Sequence, residues 1–175
     1  MAIRARTLEE GDAEAYKDLR LEGLERSPIA FANSYEQIQQ RPVDIIRQEL
    51  RDNIVIGVFH EGENLVGIGG IRREEPAKMD HKGIVYGNYV REGMRRKGVG
   101  KLIMLELEKR ARAVAPTMEL PAFEELQLRV VQGNDAALKL YESLGYTKFG
   151  YSDRAVRYKG EYVGEHYLHK YLNQG

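Results

Sequence analysis

The densest run of chemistry-bearing residues in this sequence is Arg95-Arg96-Lys97-Gly98-Val99-Gly100, followed by Lys101. After it, Val99, Leu102, Ile103, Leu107, Ala111 and Val114 recur at three- and four-residue steps until Pro116. That periodicity predicts a helix beginning at the glycines. The start of a helix leaves backbone N–H groups without carbonyl partners and carries the positive end of its dipole. An anion placed there collects both, and Gly98 and Gly100 present no side chain to hold a bulky diphosphate away. Arg91, Arg95, Arg96, Lys97 and Lys101 gather positive charge around this turn, in a chain whose 27 Lys+Arg are balanced by 27 Asp+Glu. Two common phosphate loops are excluded. GxxxxGK[ST] fails because Leu102 follows Gly100-Lys101 and Arg95 occupies the first glycine position; GxGxxG fails because Ile103 replaces the third glycine. A second constellation is Asn134 with Tyr141, seven residues apart. A phenol has an ordinary pKa of about 10, close enough to a thiol's to serve as a proton donor.

The elements that position these groups follow from hydrophobic patterning. Ile3 to Thr7 reads as a strand, with Asp12 as N-cap of an amphipathic helix from Ala13 to Arg26 that Pro28 ends. Residues 29–42 read as irregular, and Val43 to Leu50 as a short helix capped by Asp44. Asn53 to His60, Leu65 to Arg72 and His81 to Val90 are β-rich runs with short polar links, the pattern of an antiparallel meander. The long helix of the glycine turn precedes a strand from Glu125 to Val131 and a helix from Asp135 to Leu144, with Gly145 as its stop. Tyr146 to Tyr151 and Tyr162 to Tyr171 read as closing strands. The order βααβββαβαββ describes one α/β domain over residues 1–175 with a mostly antiparallel sheet.

The glycine turn fits [Q/R]xxGx[G/A], a pattern that holds the pyrophosphate of coenzyme A. In this setting the chain resembles the GCN5-related N-acetyltransferases, the GNAT superfamily. Asn88-Tyr89-Val90 before Arg95 to Gly100 is similar to the end of that family's fourth strand and its pyrophosphate loop. Asn134-Asp135-Ala136-Ala137-Leu138-Lys139-Leu140-Tyr141, continuing to Gly145-Tyr146, resembles its N-x-x-A-x-x-L-Y-x-x-x-G-F segment. The resemblance implies an acyl-CoA N-acyltransferase fold: an α/β (α+β) domain with six to seven strands, about four helices, and splayed fourth and fifth strands. It also implies acetyl-CoA as cofactor, with its pantetheine arm pairing with backbone groups of Asn88, Tyr89 and Val90. By the same resemblance the Val90 N–H is the oxyanion donor, Asn134 and Ala137 lie beside the cofactor, and Tyr141 protonates the departing thiolate.

The base is not assigned. Some protein N-terminal acetyltransferases of the superfamily carry a glutamate five residues before the asparagine; this chain has Arg129, which cannot take a proton at neutral pH. His81, Glu22, Glu36 and Glu74 are the candidates. Arg129 favours a small-molecule amine over a protein terminus as acceptor. A non-catalytic acyl-CoA sensor and a peptide N-acetyltransferase are the alternatives. Residues 29–41 and the loop from Glu74 to Asp80 are expected to shape the acceptor site, with Glu36, Glu74, Glu75 and Asp80 able to attract a cation. The zero net charge argues against a nucleic-acid or membrane-surface binder. No stretch approaches the roughly 20 apolar residues of a membrane span. The absence of cysteine removes disulfides, thiolate metal sites and a cysteine nucleophile. Residues 1–6 lack an apolar leader core, and a cytoplasmic location is expected. Eleven tyrosines include several in the last strands, which could supply a homodimer interface.

Overall fold

The computed structural model describes residues 2–173; Met1, Gln174 and Gly175 lie outside them. The strands are β1 (Ile3–Thr7), β2 (Ile54–His60), β3 (Asn64–Arg73), β4 (Lys82–Val90), β5 (Glu125–Val131), β6 (Thr147–Tyr158) and β7 (Glu161–Tyr171). The helices are α1 (Ala13–Arg26), α2 (Tyr35–Gln40), α3 (Val43–Asp52), α4 (Val99–Ala113) and α5 (Asp135–Ser143). The strands form one sheet in the order β1-β2-β3-β4-β5-β7-β6. Every neighbouring pair is antiparallel except β4 and β5. The expected meander is β2-β3-β4, and the expected mixed, mostly antiparallel α/β sheet is observed.

Both faces of the sheet are covered, which is why the β2 run Ile54-Val55-Ile56-Gly57-Val58-Phe59 is continuously apolar rather than alternating. On one face Ile56, Val58, Val66, Ile71 and Val85 pack with Ile103, Met104, Leu107 and Ala111 of α4. On the other, Val55, Phe59, Leu65, Ile68 and Tyr89 pack with Tyr16 and Leu19 of α1 and Ile46 and Leu50 of α3. Each helix contributes its residues at three- and four-residue steps, so each buries one stripe.

Four local expectations differ from the structure. Helix α2 forms within the stretch expected to be irregular, started by a capping box: Ser34 Oγ accepts from the Gln37 N–H at 3.2 Å, and Gln37 Oε1 accepts from the Ser34 N–H at 2.8 Å. Asp12 makes no side-chain cap on α1. Its carboxylate instead accepts from both Arg6 terminal nitrogens, at 2.7 and 2.8 Å, and from the Glu9 N–H at 2.8 Å. A charged partner outcompetes a neutral amide for a carboxylate. Asp44 lies in the first turn of α3 after Pro42 and pairs with Arg47 at 2.6 Å rather than capping. Strand β6 continues through the polar Ser152-Asp153-Arg154 to Tyr158, because β7 supplies partners on either side of a bulge between Ser152 and Val156.

Candidate active site

Strands β4 and β5 pair only through Lys82–Glu125, Gly83–Leu126 and Ile84–Gln127. Beyond that rung, residues 85–90 and 128–131 part. The bend in β4 comes at Gly87, whose φ of +66° is open to glycine at no steric cost. The β3–β4 register slips at the same place, between Ile68 and Gly70. Two cavities open into the gap. An outer cleft of about 1130 Å³ is lined by β4, the start of α4 and α5. An inner chamber of about 520 Å³ lies toward α1 and α3. Phe31, Asn88, Val131, Asn134, Ala137 and Tyr141 line both, and so mark their junction.

The outer cleft has the features of an anion-binding turn. Gly98 is N-cap of α4 at φ +81°, and no side chain caps the helix. The first helical bond there is Leu102 N–H to the Gly98 carbonyl at 2.9 Å, so the N–H groups of Val99, Gly100 and Lys101 precede any intrahelical partner. Arg96, Gly98, Val99, Gly100 and Lys101 line the cleft; Lys97 does not. Gly100 also allows close helix contact, since a Cβ there would lie 3.2 Å from Leu140 Cδ2 on α5. Arg95 lines the cleft but is partly engaged, its Nε donating to the Val90 carbonyl at 3.1 Å.

Along β4, the Arg91 N–H donates to the Val66 carbonyl at 2.9 Å. Amide directions alternate along a strand, so the Val90 N–H points away from β3, toward the side that β5 has vacated. Tyr89 lines the cleft by its position but sends its side chain to the α1 face, where its hydroxyl donates to Glu22 Oε1 at 3.1 Å. Arg91 binds the same carboxylate at 2.9 Å through Nη2.

At the junction, Asn88 Nδ2 donates to the Tyr141 hydroxyl at 3.1 Å and contacts Met104 Sδ at 3.2 Å. The Tyr141 oxygen is thereby an acceptor, and its own proton has no acceptor among the described residues. Burial pushes this phenol up from its ordinary value, with the Asn88 bond pulling the other way, so it is protonated at neutral pH. Asn88 Oδ1 is buried without a partner. Asn134 Oδ1 accepts from the Ala137 N–H at 3.3 Å, which makes it the cap of α5.

The inner chamber was hardly visible from the sequence. Glu49 Oε1 accepts from the Tyr86 hydroxyl at 2.9 Å, the Tyr16 hydroxyl at 3.2 Å and Arg20 Nη1 at 3.2 Å. Arg41 lies 3.7 Å from the other carboxylate oxygen. Burial, and then the neighbouring Tyr16 and Glu49, push the Tyr86 phenol far up. The available signal was a charge inside each apolar stripe: Arg20 beside Tyr16 and Leu19 on α1, and Glu49 beside Ile46 and Leu50 on α3. Of the proposed bases, Glu22 is tied to Arg91, and none of His81, Glu22, Glu36 and Glu74 lines either cavity. The acids of the 74–80 loop and Glu36 are likewise absent from the chamber lining, whose carboxylates are Glu49 and Glu165.

The sequence pattern of the acetyltransferase (GNAT) family matches residues 21–146. This chain belongs to the GNAT family. A search of curated proteins returns no match. Among solved structures, a GNAT-family acetyltransferase from Streptococcus pneumoniae superposes with a TM-score of 0.83 at 21% identity, covering 97% of this chain and 99% of that one. A ribosomal-protein-alanine N-acetyltransferase from Brucella melitensis gives 0.77 at 19% identity over 96% and 99% of the two chains. A GNAT-superfamily phosphinothricin acetyltransferase from Sinorhizobium meliloti, in complex with acetyl-CoA, gives 0.79 at 14% identity over 100% and 91%. These likenesses establish the fold; the family uses acetyl-CoA and transfers its acetyl group. The outer cleft of this GNAT chain fits such a donor, with uncapped helix amides for an anion at one end and outward backbone amides on β4 at the other. No helix among the described residues is long and apolar enough to cross a membrane.

Proposed function

We propose that this chain, acting as a single catalytic domain, transfers the acetyl group of acetyl-CoA to the primary amine of a small molecule by direct attack. Acetyl-CoA supplies an activated thioester. The uncapped amides of Val99, Gly100 and Lys101, with Arg96 and Lys101 side chains, hold its diphosphate. The backbone of Asn88 and Val90 takes the pantetheine arm as an added strand. The outward Val90 N–H stabilises negative charge developing on the carbonyl oxygen.

The observation that carries the reading is the Tyr141 hydroxyl at the junction of the two cavities. Because Asn88 donates to its oxygen, its proton is directed elsewhere, and burial keeps that proton in place at neutral pH. It is therefore positioned to protonate a departing thiolate. The inner chamber is the acceptor site, and its volume of about 520 Å³ suits a small molecule. An alkylamine with an ordinary pKa near 10.4 must lose a proton before attack, and with no base assigned that proton passes to solvent water. The test is acetyl-CoA-dependent thiol release over an amine panel, beside calorimetric titration with coenzyme A. Binding of coenzyme A without turnover of any amine would favour an acyl-CoA sensor; absence of binding would refute the cleft assignment.

A further inference from the structure

The chamber's charge bears on its substrate. Four guanidinium groups line it, from Arg20, Arg41, Arg72 and Arg129, against the carboxylates of Glu49 and Glu165. Arg20 and Arg41 are engaged by Glu49, at 3.2 and 3.7 Å. Neither of the other two is hydrogen-bonded to a carboxylate, although Arg129 lies near enough to Glu165 to favour that group's charged form against the effect of burial. Arg72 is only loosely paired with Glu74, at 3.9 Å. Arg129 makes no hydrogen bond or ion pair among the described residues, and its guanidinium lies 5.3 Å over the Tyr167 ring. The sheet register puts them on one face: Arg72 pairs with Ile84, Ile84 with Gln127, and Arg129 follows two residues along β5. Glu165 pairs with Val131, diagonal to Arg129 across β5 and β7.

We propose that the acceptor carries a carboxylate as well as its amine, as an amino acid does, and that Arg72 and Arg129 bind that carboxylate while the amine faces the Asn88–Tyr141 junction. This rests on the acetyl-transfer reading above. A guanidinium matches a carboxylate with two parallel N–H···O bonds, and these are stronger in a partly enclosed chamber than in open water. A polyamine would instead meet an excess of like charge. Glu165, on the same rim, balances the positive charge of an incoming ammonium group.

The experiment compares glutamate, leucine and phenylalanine, each with its carboxamide and its decarboxylated amine, and spermidine as the polycation. Thiol release from acetyl-CoA is the readout. The expected result is a kcat/KM at least about tenfold higher for the carboxylated member of a productive set, in line with charge-assisted hydrogen bonds. Arg129→Gln and Arg72→Gln should each raise KM for that substrate by about tenfold or more with little change in kcat, leave the carboxamide's KM unaltered, and leave coenzyme A affinity intact. Arg129→Lys should restore part of the loss. Turnover of the amides or of spermidine at equal or better rates would overturn the proposal while leaving acetyl transfer standing. A carboxylate preference that survives both arginine substitutions would overturn the assignment to these residues. Thiol release that no amine of the panel raises above the amine-free rate would sink the acetyl-transfer reading and this proposal with it.

Discussion

Replacing Tyr141 by Phe removes one oxygen and little else. The ring keeps its edge-on contact with Tyr146, at 6.1 Å between centroids, and its place in the core that α5 shares with Met104 and Leu107 of α4. Asn88 Nδ2 loses its acceptor but keeps the Met104 sulfur at 3.2 Å. The stability cost is that of one hydrogen bond, about 1 kcal/mol. For a chain of this length that is a fall in Tm of roughly 2–4 °C. The catalytic cost is larger. General acids contribute about 10²- to 10⁴-fold. The low end applies here, because a thiol's reference pKa of about 8.5 lies below a phenol's of about 10, which makes full proton transfer to the thiolate uphill. We therefore expect kcat to fall about 10²-fold, or about 2.7 kcal/mol of transition-state stabilisation. Coenzyme A affinity should stay within about threefold, since the hydroxyl is not among the groups assigned to the diphosphate. The assay is stopped-flow thiol release at saturating acetyl-CoA, with calorimetry on the same preparation. Because burial raises this phenol, any alkaline limb of the wild-type profile that belongs to it lies above about pH 10. A Tyr141→Phe enzyme within about twofold of wild-type kcat would refute the acid role, since even the weakest general acid is worth more.

Three further outcomes follow from the geometry. Gly98→Val places a β-branched residue at φ +81°, a strain of about 1–3 kcal/mol at the N-cap of α4; coenzyme A affinity by calorimetry should drop at least about tenfold, and unchanged affinity would detach the turn from the diphosphate. Glu49→Leu leaves Arg20, only 7% exposed, without its carboxylate, at about 3–5 kcal/mol. The melting temperature should fall by roughly 6–20 °C, and a fall under about 2 °C would show that water and the existing 3.4 Å bond from Arg20 to Asn33 Oδ1 suffice to hold the guanidinium. Glu22 and Asp12 are both held below the ordinary carboxylate range, chiefly by hydrogen bonds from Arg91 and Arg6 respectively. A carboxyl harder to protonate folded than unfolded stabilises fully above its ordinary value of about 4, and loses that contribution as pH falls toward its lowered value. Glu22→Gln should flatten the acid side of a plot of Tm against pH, and an unaltered slope would remove Arg91 as the cause.

Much of the outer cleft was legible because its parts are neighbours in the chain. A run such as Arg96 to Lys101 needs only a following helix to present its amides, and helix periodicity is written locally in Val99, Ile103, Leu107 and Ala111. Asn134 and Tyr141 share one short helix for the same reason. Residues whose partners lie far along the chain behaved otherwise. Asp12 looked like a cap until Arg6 reached it, and residues 29–42 looked irregular although Ser34 and Gln37 carried a capping box.

The chain's own order of residues determined most of the strands and helices, the glycine turn that opens α4 and the place of the candidate acid on α5, since each depends on contacts within a few residues or on a repeating period. The tertiary fold alone decided the inner chamber. Arg20, Glu49 and Tyr86 belong to three separate elements, and Arg72 and Arg129 share a face only because β3, β4 and β5 stand in register. Hydrogen bonds and Coulomb forces depend on distance in space, and distances across a sheet are set by strand pairing, which no local spacing encodes.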